Sequence, residues 1–168
     1  IRSDMERFSC ATYIANLTEE VATTGESNFP LFRLLLAGLS YFAFGERDLA
    51  GRMLIYELKL MDLIGYRPVL DTCVICGNRP IGSDFSFRPG QGGLVCENCR
   101  GSDSSGIPIS RETSRVMQKI LDADIDECFR ISISPGETEQ MNRILPAYIE
   151  QKLEKKIKSR DFLKSFFI

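Results

Sequence analysis

Apolar side chains recur at helical spacing through most of this chain, and the pattern predicts a helical bundle interrupted by one stretch of another kind. Ile1, Met5, Phe8, Ala11, Ile14, Leu17 and Val21 share one face of a helix over residues 1–24, which Gly25 ends. Ser27-Asn28-Phe29-Pro30 reads as a helix entry, with proline suited to the first turn. From Leu31 to Phe44 the sequence is apolar almost all round, which predicts a central helix stopped by Gly45. Residues 47–64 predict a third helix, opened near Asp48 and closed by Gly65, with Leu49, Met53, Tyr56, Leu60 and Leu63 along one side.

Helical spacing returns at Ser110, a cap for a helix to about Ala123 with Val116, Met117 and Ile120 inward. Residues 122–127 read as an acidic turn. Ile131 to Ser134 alternates like a strand, but with no partner strand near it reads as loop. Ser134, Pro135 and Glu137 fall at the N-cap, first and third positions of a capping box. The helix it opens passes through Met141, Ile144, Leu145, Tyr148 and Ile149 to about Lys156, and Pro146 is expected to kink or divide it. A last short helix is expected from Ser159, ending in the apolar tail Phe166-Phe167-Ile168.

The interrupting stretch runs from Cys73 to Cys99. Cys73-x-x-Cys76 and Cys96-x-x-Cys99 stand nineteen residues apart, a spacing that fits four thiolates on one zinc ion. Two residues between cysteines let a tight turn aim both sulfurs at one ion, and Gly77 gives the backbone freedom just past the second. Phe85-Ser86-Phe87 alternates like a strand, residues 88–93 form a turn, and Leu94-Val95 leads back to the metal. A redox dithiol needs a single CxxC on a βαβ pattern, and a disulfide scaffold suits a small secreted chain with little core. Zinc held by Cys73, Cys76, Cys96 and Cys99 is therefore the favoured reading. Four thiolates close the coordination sphere, so the ion would be structural. The residues from Gly101 to Pro108 read as a linker leaving this module. Cys10 and Cys128 read as core thiols.

Composition narrows the options further. At 168 residues and 43% hydrophobic, the chain fills one sizeable core beside the zinc module. The expected fold is mainly α: a bundle formed by residues 1–70 and 102–168, with a four-cysteine zinc ribbon of short β-hairpins inserted at 71–101. The formal charge of −2 argues against wholesale wrapping of nucleic acid, so any DNA contact must come from a local basic face. Histidine is absent, which removes the commonest general base and catalytic-metal ligand, and no carboxylate cluster stands in for it. A zinc deaminase or nuclease is thereby disfavoured. No signal peptide and no long apolar run appear, which favours a soluble cytosolic protein without membrane contact. The first residue is already in helical register, as in a piece of something longer.

Charge is unevenly placed. Residues 121–150 hold seven acids and two cations, whereas 151–164 hold Lys152, Lys155, Lys156, Lys158, Arg160 and Lys164 against Glu154 and Asp161. Such asymmetry reads either as a solvated helix face or as a contact for phosphates or an acidic peptide. A thinner basic set surrounds the ribbon: Arg67, Arg79, Arg88, Arg100, and then Arg111, Arg115 and Lys119. Arginines beside a thiolate cluster either reach a partner or balance its charge.

Tyr56-Glu57-Leu58-x-Leu60-x-x-Leu63-x-Gly65-Tyr66-x-Pro68-x-Leu70-Asp71-x-Cys73-x-x-Cys76-Gly77 resembles the helix-into-zinc-finger passage of the bacterial recombination mediator family RecO. So does the opening from Ile1 to Phe8. Phe85-Ser86-Phe87-x-Pro89-x-x-Gly92-Gly93-Leu94-Val95-Cys96-x-x-Cys99 is similar to the family's second knuckle, and Tyr148-Ile149 through Phe162-Leu163 to its C-terminal signature. The matches run in order through nearly the whole chain. The family also carries an N-terminal OB-fold, typical of single-strand binders and not represented here. The resemblance implies a non-enzymatic DNA repair and recombination factor, cytoplasmic and nucleoid-associated, with one structural zinc. It would bind single-stranded DNA and the acidic, Phe-terminated tail of single-strand-binding protein, pair with RecR, anneal strands and help load RecA. The expected contact residues are Lys152, Lys155, Lys156, Lys158, Arg160, Lys164, Arg88 and Arg100, beside aromatics such as Tyr148 and Phe162, which read more readily as plain core than as exposed. The alternative is a zinc-ribbon adaptor that meets a protein partner and does not act on DNA.

Overall fold

Asn28, Asp48, Ser110 and Ser134 each turn the chain into a helix by one device. Their side-chain oxygens accept the backbone N–H of Leu31, Gly51, Thr113 and Glu137, donors that the first helical turn leaves without partners. At Ser134 the bond is reciprocated by Glu137, which accepts the Ser134 amide at 2.7 Å. The computed structural model describes residues 2–22, 28–45, 48–79, 85–101, 106–157 and 160. Within them lie α1 (Arg2–Val21), α2 (Phe29–Phe44), α3 (Leu49–Leu63), β1 (Phe85–Arg88), β2 (Gly93–Cys96) and α4 (Glu97–Arg100). They are followed by β3 (Ile107–Pro108), α5 (Arg111–Asp122), α6 (Ile125–Cys128) and α7 (Pro135–Leu153). The protein is mainly α, with a four-cysteine ribbon inserted between α3 and α5.

The central helix is α3, not α2. Every residue from Gly51 to Met61 is buried, including Arg52, Glu57 and Lys59. Each of these polar side chains has a partner, although Arg52 Nε and Glu57 Oε2 have none of their own. Arg52 donates to the Ile131 carbonyl at 2.6 Å, Glu57 accepts the Tyr13 hydroxyl at 2.6 Å, and Lys59 donates to the Leu121 and Ala123 carbonyls at 3.1 and 2.8 Å. Lys59 thus satisfies carbonyls at the end of α5, where the helix dipole favours a cation. By contrast α2 buries Leu31, Leu34, Gly38 and Phe42 and leaves Phe29, Phe32, Leu36 and Phe44 exposed, Phe44 at 91%. Apolar composition on all sides did not make α2 the core helix. It packs on α1 and α3 through one stripe, and Arg7 ties its end to α1 through the Phe42 and Gly45 carbonyls at 2.8 and 2.7 Å.

Gly38 marks the closest approach. A Cβ there would meet the Ile14 side chain and the Tyr56 ring at 2.8 Å. Tyr56 is itself held by Thr18 on α1, hydroxyl to hydroxyl, at 2.5 Å.

Two further expectations are corrected, and one alternative of a third is removed. The acidic run at 122–127 leads into α6, one turn of helix from Ile125 to Cys128 opened by Asp124. The run read as a linker ends in β3, which pairs with β1 through Ser86↔Pro108 and Phe87↔Ile107. Pro146 does not divide α7, which runs unbroken to Leu153 and stops at Glu154 in the left-handed conformation (φ 52°), before Lys155 and Lys156. On α5 the inward residues are Met117, Ile120 and Leu121, with Val116 half-buried. Residues 131–134 are loop. The last helix and its Phe166-Phe167-Ile168 tail fall outside the described residues, Arg160 excepted.

The ribbon's sheet has the order β2-β1-β3, antiparallel throughout, with Phe85 opposite Cys96 and Phe87 opposite Leu94. Phe87 is fully buried and meets Tyr148 of α7 edge-on, centroids 5.3 Å apart. The ribbon therefore packs on the bundle through its own apolar face. Among the described residues no helix is long and apolar enough to cross a membrane.

Candidate functional site

Two turns carry the four cysteines. After α3 the chain passes Val69, whose amide donates to the Gly92 carbonyl and whose carbonyl accepts from Leu94, both at 2.9 Å. The first knuckle follows, closed by the Gly77 amide on the Cys73 carbonyl at 2.8 Å, with Gly77 at φ +73°, a conformation glycine adopts without steric penalty. The second knuckle is the end of β2 and the single turn α4. Val74 donates to the Leu94 carbonyl at 2.8 Å and so docks one knuckle on the other.

The result is a cluster in which all four Sγ atoms lie within 4.8 Å of one another. Cys76 and Cys96 stand 3.9 Å apart, close to the sulfur–sulfur edge of about 3.8 Å that a tetrahedron with 2.3 Å metal–sulfur bonds requires. That distance is far from a disulfide bond, and all four thiols are free. Cys73 is buried, Cys96 and Cys99 are half-buried, and Cys76 is exposed. The set fits a divalent, thiophilic ion, and its four ligands leave no coordination position open.

The protons in the cluster point the same way. Burial pushes the Cys73 thiol up, but the amides of Cys96, Cys76 and Ile75 donate to its sulfur and bring it down to about 6. Cys99 is pushed up to about 12, first by its hydrogen bonds with Cys96 and Cys76 and then by burial and the Cys73 charge. Four sulfurs this close cannot all ionise unaided, and a cation bound among them would relieve the repulsion.

The basic residues are scattered more than their spacing implied. Arg160 is buried, at 6% exposure, where it pairs with Glu57 and donates to the Asn142 side chain at 2.8 Å. It does not face solvent. Lys152 is half-buried, donates to the Gly90 carbonyl at 3.1 Å and sits over the Tyr148 ring. Tyr148 is a core residue, as the apolar face of α7 predicts. Lys155 is exposed and pairs with Glu20 at 2.5 Å, and Lys156 is exposed. Lys158, Lys164 and Phe162 lie outside the described residues. Arg88 and Arg100 are half-buried, and Arg88 donates to the Arg100 carbonyl at 2.8 Å, which binds the ribbon's two sides together.

The sequence reading missed an apolar surface. Met5 and Phe8 of α1 and Phe29, Phe32, Leu36 and Phe44 of α2 are all more than half exposed. The signal was available in the run from Leu31 to Phe44, apolar almost all round and read there as a sign of a central helix.

Comparison with known proteins adds the following. The family model described as recombination protein O C terminal matches residues 2–161. A DNA repair protein RecO from Alkaliphilus metalliredigens is 34% identical over 155 residues, covering 92% of this chain and 63% of that protein. Those from a Thermoanaerobacter species and from Symbiobacterium thermophilum are 33% and 29% identical over 165 residues, covering 97% of this chain and 65% of each relative. The chain thus spans less than two thirds of the length of these relatives.

Proposed function

The chain belongs to the recombination protein O C-terminal family, and on that premise we propose that it is the helical and zinc-binding part of a DNA repair and recombination mediator that works by contact and not by catalysis. The observation that carries this reading is the clustering of Cys73, Cys76, Cys96 and Cys99, four thiols that would close around one ion and leave it nothing further to bind. Zinc is the ion these ligands suit. Bound there, it joins the turn after α3 to the end of β2 and so fixes the ribbon's exposed turns.

The proposed partners are single-stranded DNA, the acidic Phe-terminated tail of single-strand-binding protein, and RecR, with strand annealing and RecA loading as the outcome. The exposed Lys155 and Lys156, with Lys158 and Lys164, are the proposed cations of the C-terminal contact. Lys152 contributes by holding the ribbon against α7, Arg88 bridges the ribbon's two sides through the Arg100 carbonyl, and Arg160 is reassigned to the interior.

The deciding experiment is capture of this chain by an immobilised peptide copy of that tail, with and without its last Phe. Retention that depends on the Phe supports the mediator reading, and equal failure of both peptides contradicts it. A second reading, an adaptor that contacts a protein without acting on DNA, is favoured by the apolar face of α1 and α2. Salt separates them, because DNA affinity falls steeply with ionic strength and an apolar interface does not.

A further inference from the structure

The four thiols of the ribbon are buried unequally, although ligation of one ion asks the same of each. Cys73 is 1% exposed and its sulfur accepts the Cys96 amide at 3.5 Å. Cys96 and Cys99 are half-buried, and Cys76 is exposed. An ion placed among the four sulfurs covers Cys76 on its inward side only, and the outward side stays open to solvent. The neighbouring Ile75 is itself 48% exposed, so the tip of the first knuckle is open. Opposite it, on the second knuckle, the Cys96 sulfur stands 3.9 Å from that of Cys76. Backbone bonds hold the two knuckles together without help from an ion: Val74 to the Leu94 carbonyl at 2.8 Å, and the Val69 pair at 2.9 Å. Closing the two sulfurs to a disulfide asks for a shortening of about 2 Å, a distance that rotation of the exposed Cys76 side chain supplies. The remaining cysteines are out of reach. Cys10 and Cys128 are fully buried, and burial keeps their thiols protonated, pushed up to about 12 and about 11.

We propose that Cys76 is a modification site for peroxide, with Cys96 as its resolving thiol, and that its oxidation unloads the metal site. The proposal goes beyond the mediator reading and rests only on the four thiols holding zinc. The Cys76 thiolate attacks one oxygen of hydrogen peroxide. An S–O bond forms, the O–O bond breaks, and the departing hydroxide takes up a proton and leaves as water. Sulfur is thereby oxidised by two electrons to a sulfenic acid, and the peroxide is reduced. The Cys96 thiolate then attacks that sulfur. An S–S bond forms, the S–O bond breaks, and the hydroxide takes up a second proton and leaves as a second water. In sum, two thiolates, one peroxide and two protons give one disulfide and two waters. The site keeps only Cys73 and Cys99 as ligands, too few for a structural ion. Because Val69 and Val74 keep the knuckles docked, reduction of the disulfide by a dithiol regenerates the ligand set.

The test uses the whole zinc-loaded chain, freed of reductant and titrated with hydrogen peroxide. Zinc release is followed with a chromogenic chelator, and the thiols are mapped by differential alkylation and peptide mass spectrometry. Expected is zinc release in step with thiol loss, one ion for each Cys76–Cys96 disulfide, with Cys10 and Cys128 unmodified. A dithiol reductant and fresh zinc are expected to restore the loaded chain. Cys76→His keeps a zinc ligand and removes the reactive thiol, and it is expected to slow release about tenfold. Where that variant takes up no zinc, the wild-type thiol map decides alone. Oxidation that begins at Cys73 or Cys99, or a disulfide formed within one knuckle, overturns the assignment. Zinc retained with every thiol intact under excess peroxide overturns the modification site and spares the zinc reading. A chain that takes up no zinc overturns both.

Discussion

The guanidinium of Arg160 meets the carboxylate of Glu57 inside the protein, the carboxylate fully buried and the guanidinium nearly so. The Tyr13 hydroxyl donates to the same carboxylate at 2.6 Å, and Arg160 reaches Tyr13 at 3.4 Å. α1, α3 and the end of the chain are joined at one point. Removing one member leaves a buried charge uncompensated. Arg160→Met is expected to cost about 3–5 kcal/mol of stability, measured by chemical denaturation. Glu57→Gln/Arg160→Met is expected to cost clearly less than the single change, and a double variant that is as weak or weaker would break this account of the pair.

A methyl group at Gly38 has nowhere to go, since the Tyr56 ring beside it is held by Thr18 and covered on all sides. Gly38→Ala is expected to lower stability by about 1–3 kcal/mol, although alanine is the better helix former. A stability gain in thermal melting would show that the helices separate freely there.

Much of the architecture is legible in the sequence because it is written locally. Asn28, Asp48, Ser110 and Ser134 announce their helices within a few residues, and the CxxC spacing announces the ribbon. Relative burial is not written locally. Arg52, Glu57 and Lys59 read as the wet side of α3 until their partners are known, and those partners are Ile131, Arg160 and the end of α5. Likewise Arg160 sits in a run of lysines yet leaves them to reach Glu57. The pairing of Ile107 with Phe87 was hidden behind a glycine- and serine-rich stretch.

Alkali should loosen the bundle in a defined window. Burial pushes Tyr13, Tyr56 and Tyr148 up to about 12 from an ordinary value of 10.0, with the Arg160 charge opposing at Tyr13 and the Thr18 hydrogen bond opposing at Tyr56. Below pH 10 both folded and unfolded phenols keep their protons, and the shifts cost nothing. Above it the unfolded chain ionises first, so stability falls as pH climbs from about 10 to about 12. Denaturant midpoints that stay level across that window would contradict the buried placement of these rings.

Reversal of charge at Lys155, Lys156 and Lys158 to Glu is expected to weaken oligothymidylate or acidic-tail binding roughly tenfold at low salt. Unchanged affinity for both would remove the C-terminal lysines from the interface.

Cys73→Ser with Cys76→Ser is expected to release one equivalent of zinc and loosen β1 and β2, while the helices stay folded around α3. The separation follows from where burial lies, since α3 is covered mainly by α1, α2, α5 and α7. Circular dichroism that collapses with the metal would show that the bundle depends on the ribbon.

The most direct test is the coordination of the ion in the purified chain, by metal analysis with X-ray absorption at the zinc edge. One zinc with four sulfur neighbours near 2.3 Å and no oxygen is the predicted result. An oxygen neighbour, or sulfurs bonded to one another, would contradict a protein built to act by contact alone.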